Sequence, residues 1–449
     1  MEDERVDALL ERAQQLKLEL TDFVYDAEGE LATALEAFVA EQLSKSQSKD
    51  SKQRDLAVDT FLGQGRVGTQ TPIDLFVESE ADLSKDDRAL LLSWNRNFAG
   101  LFVIQQVLPD GFKVMNWLTA KSYIVKPTND ATLEIMARLK PGEILLTRIA
   151  PVTDEYWMFF SPYVQLGSLG KPKLAVAIGN FKQNYKPELY GDAPELLEEA
   201  WKSVERYHQD FLDFFGGEEV TLPGYQLAKK IPEFQEFLTQ RRMDEAGIDR
   251  NQSLGEMAQE AGVSDEELTE MAEAMGMDAE AAAKMMTNKA AAKMVAPQID
   301  LPPELKKAES VTIFAHPHWG QMLLPNHSQF IEVLKSEDWK SIKGADKLIR
   351  KYLEQADTNA FVWKRLVEDY PTQVQTVLRD FLEQPDFDVK QDLDDVLRSH
   401  NKPLEPELPE IASVPIHLHH LFQEALAEVS KTKAKEKNDK KSAKGFQRS

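Results

Sequence analysis

Between residues 91 and 162 the chain changes its period, and this change constrains the fold more than any other feature. The segment includes LLSWNRNFAGLFVIQQVLPDGFKVMNWLTAKSYIVKP and then LKPGEILLTRIAPVTDEYWMFFSP. Its short runs are rich in β-branched and aromatic residues that in part alternate with polar ones, a strand signal. Turn chemistry separates the runs. Pro109-Asp110-Gly111 and Lys140-Pro141-Gly142 pair a residue of fixed negative φ with one that tolerates positive φ, and Thr153-Asp154 makes a third break. The spacing predicts strands over 101–108, 112–117, 122–125, 143–151 and 156–160. Five short strands must bury one face and resolve their edges. A small five-stranded antiparallel β-barrel or bent sheet does both. Periodicity leaves an SH3-like and an OB-like barrel equally open.

Long helical patterns surround this module, so the expected class is α+β, a small barrel embedded in a mainly helical, multidomain chain. Residues 1–44 read as amphipathic helices: Val6, Leu9, Leu10, Ala13, Leu16, Leu20 and Val24 recur mostly at spacings of three and four. Residues 45–54 carry a polar linker. Residues 55–165 hold further helices and the barrel. Thr71-Pro72 signals one helix start, and Ser84 with Asp87 signals another. Residues 166–300 read as a helical region. In it Asp192-Ala-Pro194 opens a strong helix that Gly216-Gly217 stops, and an Ala-, Met- and Glu-rich segment follows. Residues 301–430 form a C-terminal, mainly helical domain, with one strand expected near 311–314. Residues 431–449 read as a disordered basic tail with eight basic and two acidic residues.

Charge and composition narrow the function. The chain has 53 Lys and Arg against 76 Asp and Glu, a formal charge of -23. Such a surface repels phosphate backbones, so nucleic acid is a disfavoured partner. The 449 residues contain no Cys, which excludes disulfides, thiol catalysis and thiolate zinc sites. The first residues, MEDERVDALLER, lack an apolar targeting core, and no 18-residue apolar run occurs. A soluble cytoplasmic protein without a transmembrane segment is expected.

Several residue groups carry candidate chemistry. His316 and His318, separated by one residue, share a side if they lie on a strand, and His327 is the nearest third ligand, with Asp338 as the alternative. Pro317 and Gly320 suggest a turn covered by Trp319, with structural histidines as the favoured reading. His417 and His420 share a helix face, where packing by Leu418, Leu421 and Phe422 is the competing role. Residues 258–275 resemble a helix-turn-helix whose second helix is acidic, which argues against a DNA contact. Met271 and Met275 belong to a methionine cluster suited to a varied partner surface, or to packing. Trp94, Trp117 and Trp157 are candidate partner contacts. Together with Tyr156 and Phe159 they would be a stacking platform if the barrel met single strands, or barrel filling if it did not.

The pattern LLxSW, GLFxV and LKPGEILLTRIAPV, over residues 89–162, resembles a segment of uncharacterised bacterial proteins with a small β-barrel module. Some of these carry a SecA-type Cys-rich zinc tail. The resemblance implies the barrel and no catalytic residues, and the zinc tail has no counterpart in a chain without Cys. The sequence reading is a non-enzymatic interaction or regulatory protein, without a cofactor, engaging a protein partner through the barrel and neighbouring helices. The alternatives are a nucleic-acid-associated protein using the barrel aromatics and the Lys-rich tail, and a metal-dependent hydrolase built on His316, His318 and His327.

Overall fold

The computed structural model describes residues 2–45, 51–128, 138–245 and 301–422, with 424–425 and 428–429. The backbone divides into two compact units, Met1–Ala200 with Ser413–Ser449, and Trp201–Ala412. Among the described residues no helix is long and apolar enough to cross a membrane. The α+β class holds, with helices and a closed barrel in a chain of more than one unit.

The first unit begins with helices α1 (Glu2–Tyr25), α2 (Gly29–Lys45), α3 (Ser51–Gln64), α4 (Pro72–Ser79) and α5 (Lys85–Ser93). The α1 stripe of Val6, Leu10, Ala13, Leu16, Leu20 and Val24 is buried, as its three- and four-residue spacing requires. Helix α3 starts at Ser51, inside the segment that composition marks as polar linker. Its buried anchors Val58, Phe61 and Leu62 lie further along the same helix. Both expected starts are capped. The Thr71 hydroxyl accepts from the Asp74 N–H while the Asp74 carboxylate accepts from the Thr71 N–H, and Ser84 accepts from the Asp87 N–H.

The barrel strands are β1 (Phe98–Leu108), β2 (Gly111–Asn116), β3 (Ser122–Lys126), β4 (Ile144–Pro151) and β5 (Tyr156–Phe159). A short sixth strand, β6 (Val164–Gly167), pairs with the first half of β4. The ring closes in the order β1-β2-β3-β5-β4 and back to β1. Four of the five ring pairings are antiparallel, but β3 and β5 run parallel, with Val125 opposite Trp157. The expected antiparallel barrel is therefore corrected to a mixed one. The reason is parity: a closed ring whose neighbours all alternate in direction needs an even number of strands, so five must contain a parallel pair. This order, with β3 beside β5, is that of an OB-type Greek-key barrel and settles the open choice against an SH3-like one. Strand β1 makes closure feasible. Its first half pairs with β4 and its second half with β2, and a bulge between Ile104 and Gln106 bends the half paired with β2.

Phe98, Phe102, Ile104, Phe112, Val114, Val125, Leu139, Leu145 and Ile149 fill the interior. The opposite faces of β4 and β5 turn Ala150 and Met158 toward the α1–α5 layer, with Phe160 just beyond β5 set edge-on against Trp94 at 5.6 Å. After β6 the chain continues into α6 (Lys171–Asn184) and α7 (Pro194–Phe215).

The second unit contains the greater part of α7, β7 (Glu219–Leu222), α8 (Gly224–Glu245), α9 (Pro303–Lys307), β8 (Val311–His316) and β9 (Gly320–Leu324). It continues through α10 (His327–Lys335), α11 (Ala345–Glu354), α12 (Ala360–Asp369), α13 (Pro371–Phe381) and α14 (Val389–Ser399). The strands form an antiparallel sheet in the order β7-β8-β9. Val311, Ile313 and Ala315 of β8 pack with Phe211, Leu227 and Phe234 from α7 and α8, whereas Phe314 joins the core of α10–α14. Helices thus cover both faces of β8, which is why its sequence reads as a continuous apolar run rather than an alternation. Only β8 was legible in the sequence. β7 and β9 are four and five residues long, too short for a periodic signal.

Gly111 tests the barrel closure. A Cβ there would stand 2.6 Å from the Val125 carbonyl oxygen, a backbone atom that cannot swing away. Gly111→Ala is expected to destabilise the barrel by about 1–3 kcal/mol, read as an earlier urea transition in tryptophan fluorescence.

Candidate functional site

Within the first unit stand two polar assemblies, one buried and one partly buried. Arg148 on β4 and Glu188, in the turn after α6, form an ion pair with Nη2 to Oε1 at 2.6 Å and side chains 4% and 7% exposed. The remaining Glu188 oxygen accepts the Ala99 N–H at 2.8 Å, Gln64 donates to the first, and Arg148 also donates to the Asn97 side chain. The second assembly centres on Asp192. Its carboxylate accepts from the Tyr123 hydroxyl at 2.6 Å, the Thr119 hydroxyl at 2.7 Å and Asn116 Nδ2 at 3.2 Å. Burial, reinforced by this bond to Asp192, pushes the Tyr123 phenol well above its ordinary range. Asp192, which the sequence places at a helix start, is thus turned onto one end of the barrel. All the carboxylate oxygens of the two assemblies accept hydrogen bonds, as expected of structural networks.

Two of the candidate tryptophans pack against cores of the first unit, Trp94 in the helical layer and Trp157 at the barrel interior. Trp94 is fully buried. Trp157 packs against Tyr123 at 5.0 Å and Phe98 at 5.6 Å in the barrel. Trp117 is half-buried, its ring N–H enclosed without a partner, and its carbonyl accepts from His417 Nε2 at 2.9 Å. Met271, Met275, the helix-turn-helix of 258–275 and the tail of 431–449 lie outside the described residues.

In the second unit His316 ends β8, and the next residues form the turn into β9. Its Nδ1 accepts the backbone N–H groups of His318 and Trp319, each at 3.1 Å. Two donors on Nδ1 place the neutral ring's proton on Nε2, so neither nitrogen offers a free lone pair. A metal-bound histidine needs one. The His318 ring is 5.8 Å from that of His316, which packs on Phe361 at 4.6 Å. His327 packs elsewhere, edge-on to Phe314 at 5.2 Å. The three histidines proposed from sequence as ligands are not gathered around one point. Among the described residues no three His, Asp or Glu side chains are placed to hold a metal ion.

His327 instead lines a cleft of about 330 Å³. The floor is one face of the sheet: Glu219 stands opposite Phe314 and Thr221 opposite Thr312, the two threonine hydroxyls 2.8 Å apart. His327, Ser328 and Ile331 of α10 form one wall, and Arg365, Leu366 and Asp369 of α12 with Tyr370 form the other. Arg365 Nε lies 3.2 Å from Asp369 Oδ2. The His327 Nδ1 meets the Tyr352 hydroxyl at 3.1 Å, and Nε2 makes no hydrogen bond among the described residues. Burial drops the His327 pKa to about 4, against a smaller opposing pull from Asp369, so the ring is neutral at pH 7. Glu219 lies on an edge strand and is exposed along one side. Partial burial still raises its carboxyl above the ordinary range, Arg365 pulling it down and Asp369 adding to the rise.

Of the residues around this cleft, sequence reading singled out only His327. Glu219 and Thr221 lie on one short strand, Thr312 and Phe314 about ninety residues later, and no local spacing links them. The comparisons leave the reading to this geometry: no family model matches the chain, and no curated protein or solved structure matches it.

Two outcomes are expected. Arg148→Met leaves the Glu188 carboxylate buried without its countercharge and costs about 3–5 kcal/mol in chemical unfolding, and adding Glu188→Met recovers part of the loss. The His327 ring takes a proton near its ordinary pKa of 6.5 when unfolded but only near 4 when folded. The unfolded state therefore binds more protons between those values, and stability falls as pH drops from 6.5 to 4, by on the order of 3 kcal/mol in all. In urea unfolding across this window, His327→Gln should show a shallower decline than the native chain.

Proposed function

We propose that the protein is a non-enzymatic interaction protein whose second unit takes up a segment of a partner protein in the cleft between β7–β8, α10 and α12. One observation supports this above the rest. The cleft joins an apolar base of Phe314, Ile331 and Leu366 to polar groups with hydrogen-bonding capacity left over, the Glu219 carboxyl and His327 Nε2. Such a mixed lining gives a ligand both contact area and orientation. The Ser328 hydroxyl is 3.2 Å from the Ser310 hydroxyl and His327 is bonded to Tyr352, so the neighbouring serine and histidine do not form the nucleophile–base pair that acyl transfer uses. The proposal keeps the partner-binding reading of the sequence and moves the contact surface away from the barrel tryptophans, which pack inward. The barrel with its helices serves as a rigid structural unit.

Selection of a random peptide library against the full-length protein tests the reading. Enriched peptides are expected to lose at least about tenfold in affinity, some 1.4 kcal/mol, when Thr221→Trp fills the cleft. They should bind unchanged to Val107→Glu, a change on the exposed face of β1. Failure to enrich any peptide overturns the proposal, as do peptides indifferent to Thr221→Trp.

A further inference from the structure

We infer that the group seated in this cleft is a basic side chain, lysine or arginine, presented by the partner protein. The inference rests on the cleft being the partner site and specifies what enters it.

Charge decides between the two kinds of polar ligand the walls might take. Arg365 and the first turn of α10 would favour an anion, because helix N-termini present unpaired N–H groups. Arg365 is already held by Asp369 at 3.2 Å, however, and Glu219 stands on the same floor. With His327 neutral, Glu219, Asp369 and Arg365 leave the lining net negative. An anion would meet both carboxylates, whereas a cation would meet one carboxylate whose countercharge is committed elsewhere.

The Glu219 carboxyl is partly desolvated without a bonded cation, and Arg365 offsets only part of the resulting rise in its pKa. A partner's ammonium or guanidinium would supply the missing charge and strengthen as water leaves the cleft. The hydrogen-bond inventory agrees. Basic side chains are donors only, and the lining offers acceptors in Glu219 and the paired Thr221 and Thr312 hydroxyls, with His327 Nε2, unpaired among the described residues, beside them. The His327 ring is itself buried, 7% exposed, with its other nitrogen held from behind by Tyr352. Phe314, Ile331 and Leu366 also line the cleft and offer carbon surface to the methylene stem of a lysine or arginine, whose carbons pack well on such surfaces.

Methyl-resolved NMR of the full-length protein, observing Thr221, Thr312, Ile331 and Leu366, tests this with N-acetyl-lysine methylamide as probe. N-acetyl-norleucine methylamide, the uncharged analogue, and inorganic phosphate are the comparisons. The lysine probe is expected to shift these methyls saturably and the other two to leave them in place. Glu219→Gln should weaken the lysine probe by at least about tenfold, with the remaining methyl spectrum unchanged. Equal shifts from the norleucine probe overturn the inference in favour of an apolar site, and shifts from phosphate overturn it in favour of an anion site. A lysine probe without effect also overturns it. If selected peptides bind through the cleft without any basic residue, the basic-side-chain inference fails while the interaction reading stands. If the lysine probe binds but no peptide does, the interaction reading fails alone.

Discussion

The buried pair of Arg148 and Glu188 holds the first unit together at its most demanding point. Moving two charges out of water costs several kcal/mol each, and mutual attraction offsets that only when the remaining hydrogen-bonding capacity is met. Here the Ala99 N–H, Gln64 and Asn97 meet it. These partners come from α3, the start of β1, β4 and the turn after α6, so the pair ties the barrel to the helices on both sides of it in sequence. Gly63 shows how closely they approach: a Cβ there would stand 2.9 Å from Arg148 Nη1. The dependence runs both ways. The barrel orients Arg148, and without Arg148 the Glu188 turn would have to expose its carboxylate and release the chain leading to Asp192.

Closure imposes the second constraint. Once five strands form a ring, one pair must be parallel, here β3 with β5. Phe98, Phe102 and Phe112 of the strands point into the interior, while Tyr156 packs toward the helical layer. Phe98, Tyr123 and Trp157 meet edge to face or tilted at 5.0–5.6 Å, a geometry that aromatic rings favour. The fold type of the barrel alone says nothing about a ligand.

In the second unit a similar commitment decides the histidines. His316 and His318 have the spacing of a ligand pair, but the tight turn between β8 and β9 consumes Nδ1 of His316 as a backbone acceptor. His327 is carried by α10 to the opposite side of the Phe314–Phe361 contact, 6.1 Å between rings. There it lines a cleft with residues from strands and helices far away in sequence. The cleft exists because β7 is an edge strand. Its outward residues Glu219 and Thr221 extend the floor beyond the helices that bury Phe314, leaving polar groups half in water and half against an apolar base.

Local physics was legible in the sequence. Turn residues, helix caps at Thr71 and Ser84, the α1 stripe and the strand runs of the barrel depend on interactions a few residues apart, and each forms where its pattern says. The sequence alone thereby determined the class, the position of the barrel and most of its strand limits. Tertiary structure decided the rest: the parallel β3–β5 pair, the pairing of Glu219–Leu222 with Val311–His316, and the partners of Arg148, Asp192 and His327. These depend on which distant segments meet when the chain closes on itself. That choice is made by the packing of whole layers and the satisfaction of buried charge, neither of which leaves a periodic trace along the chain.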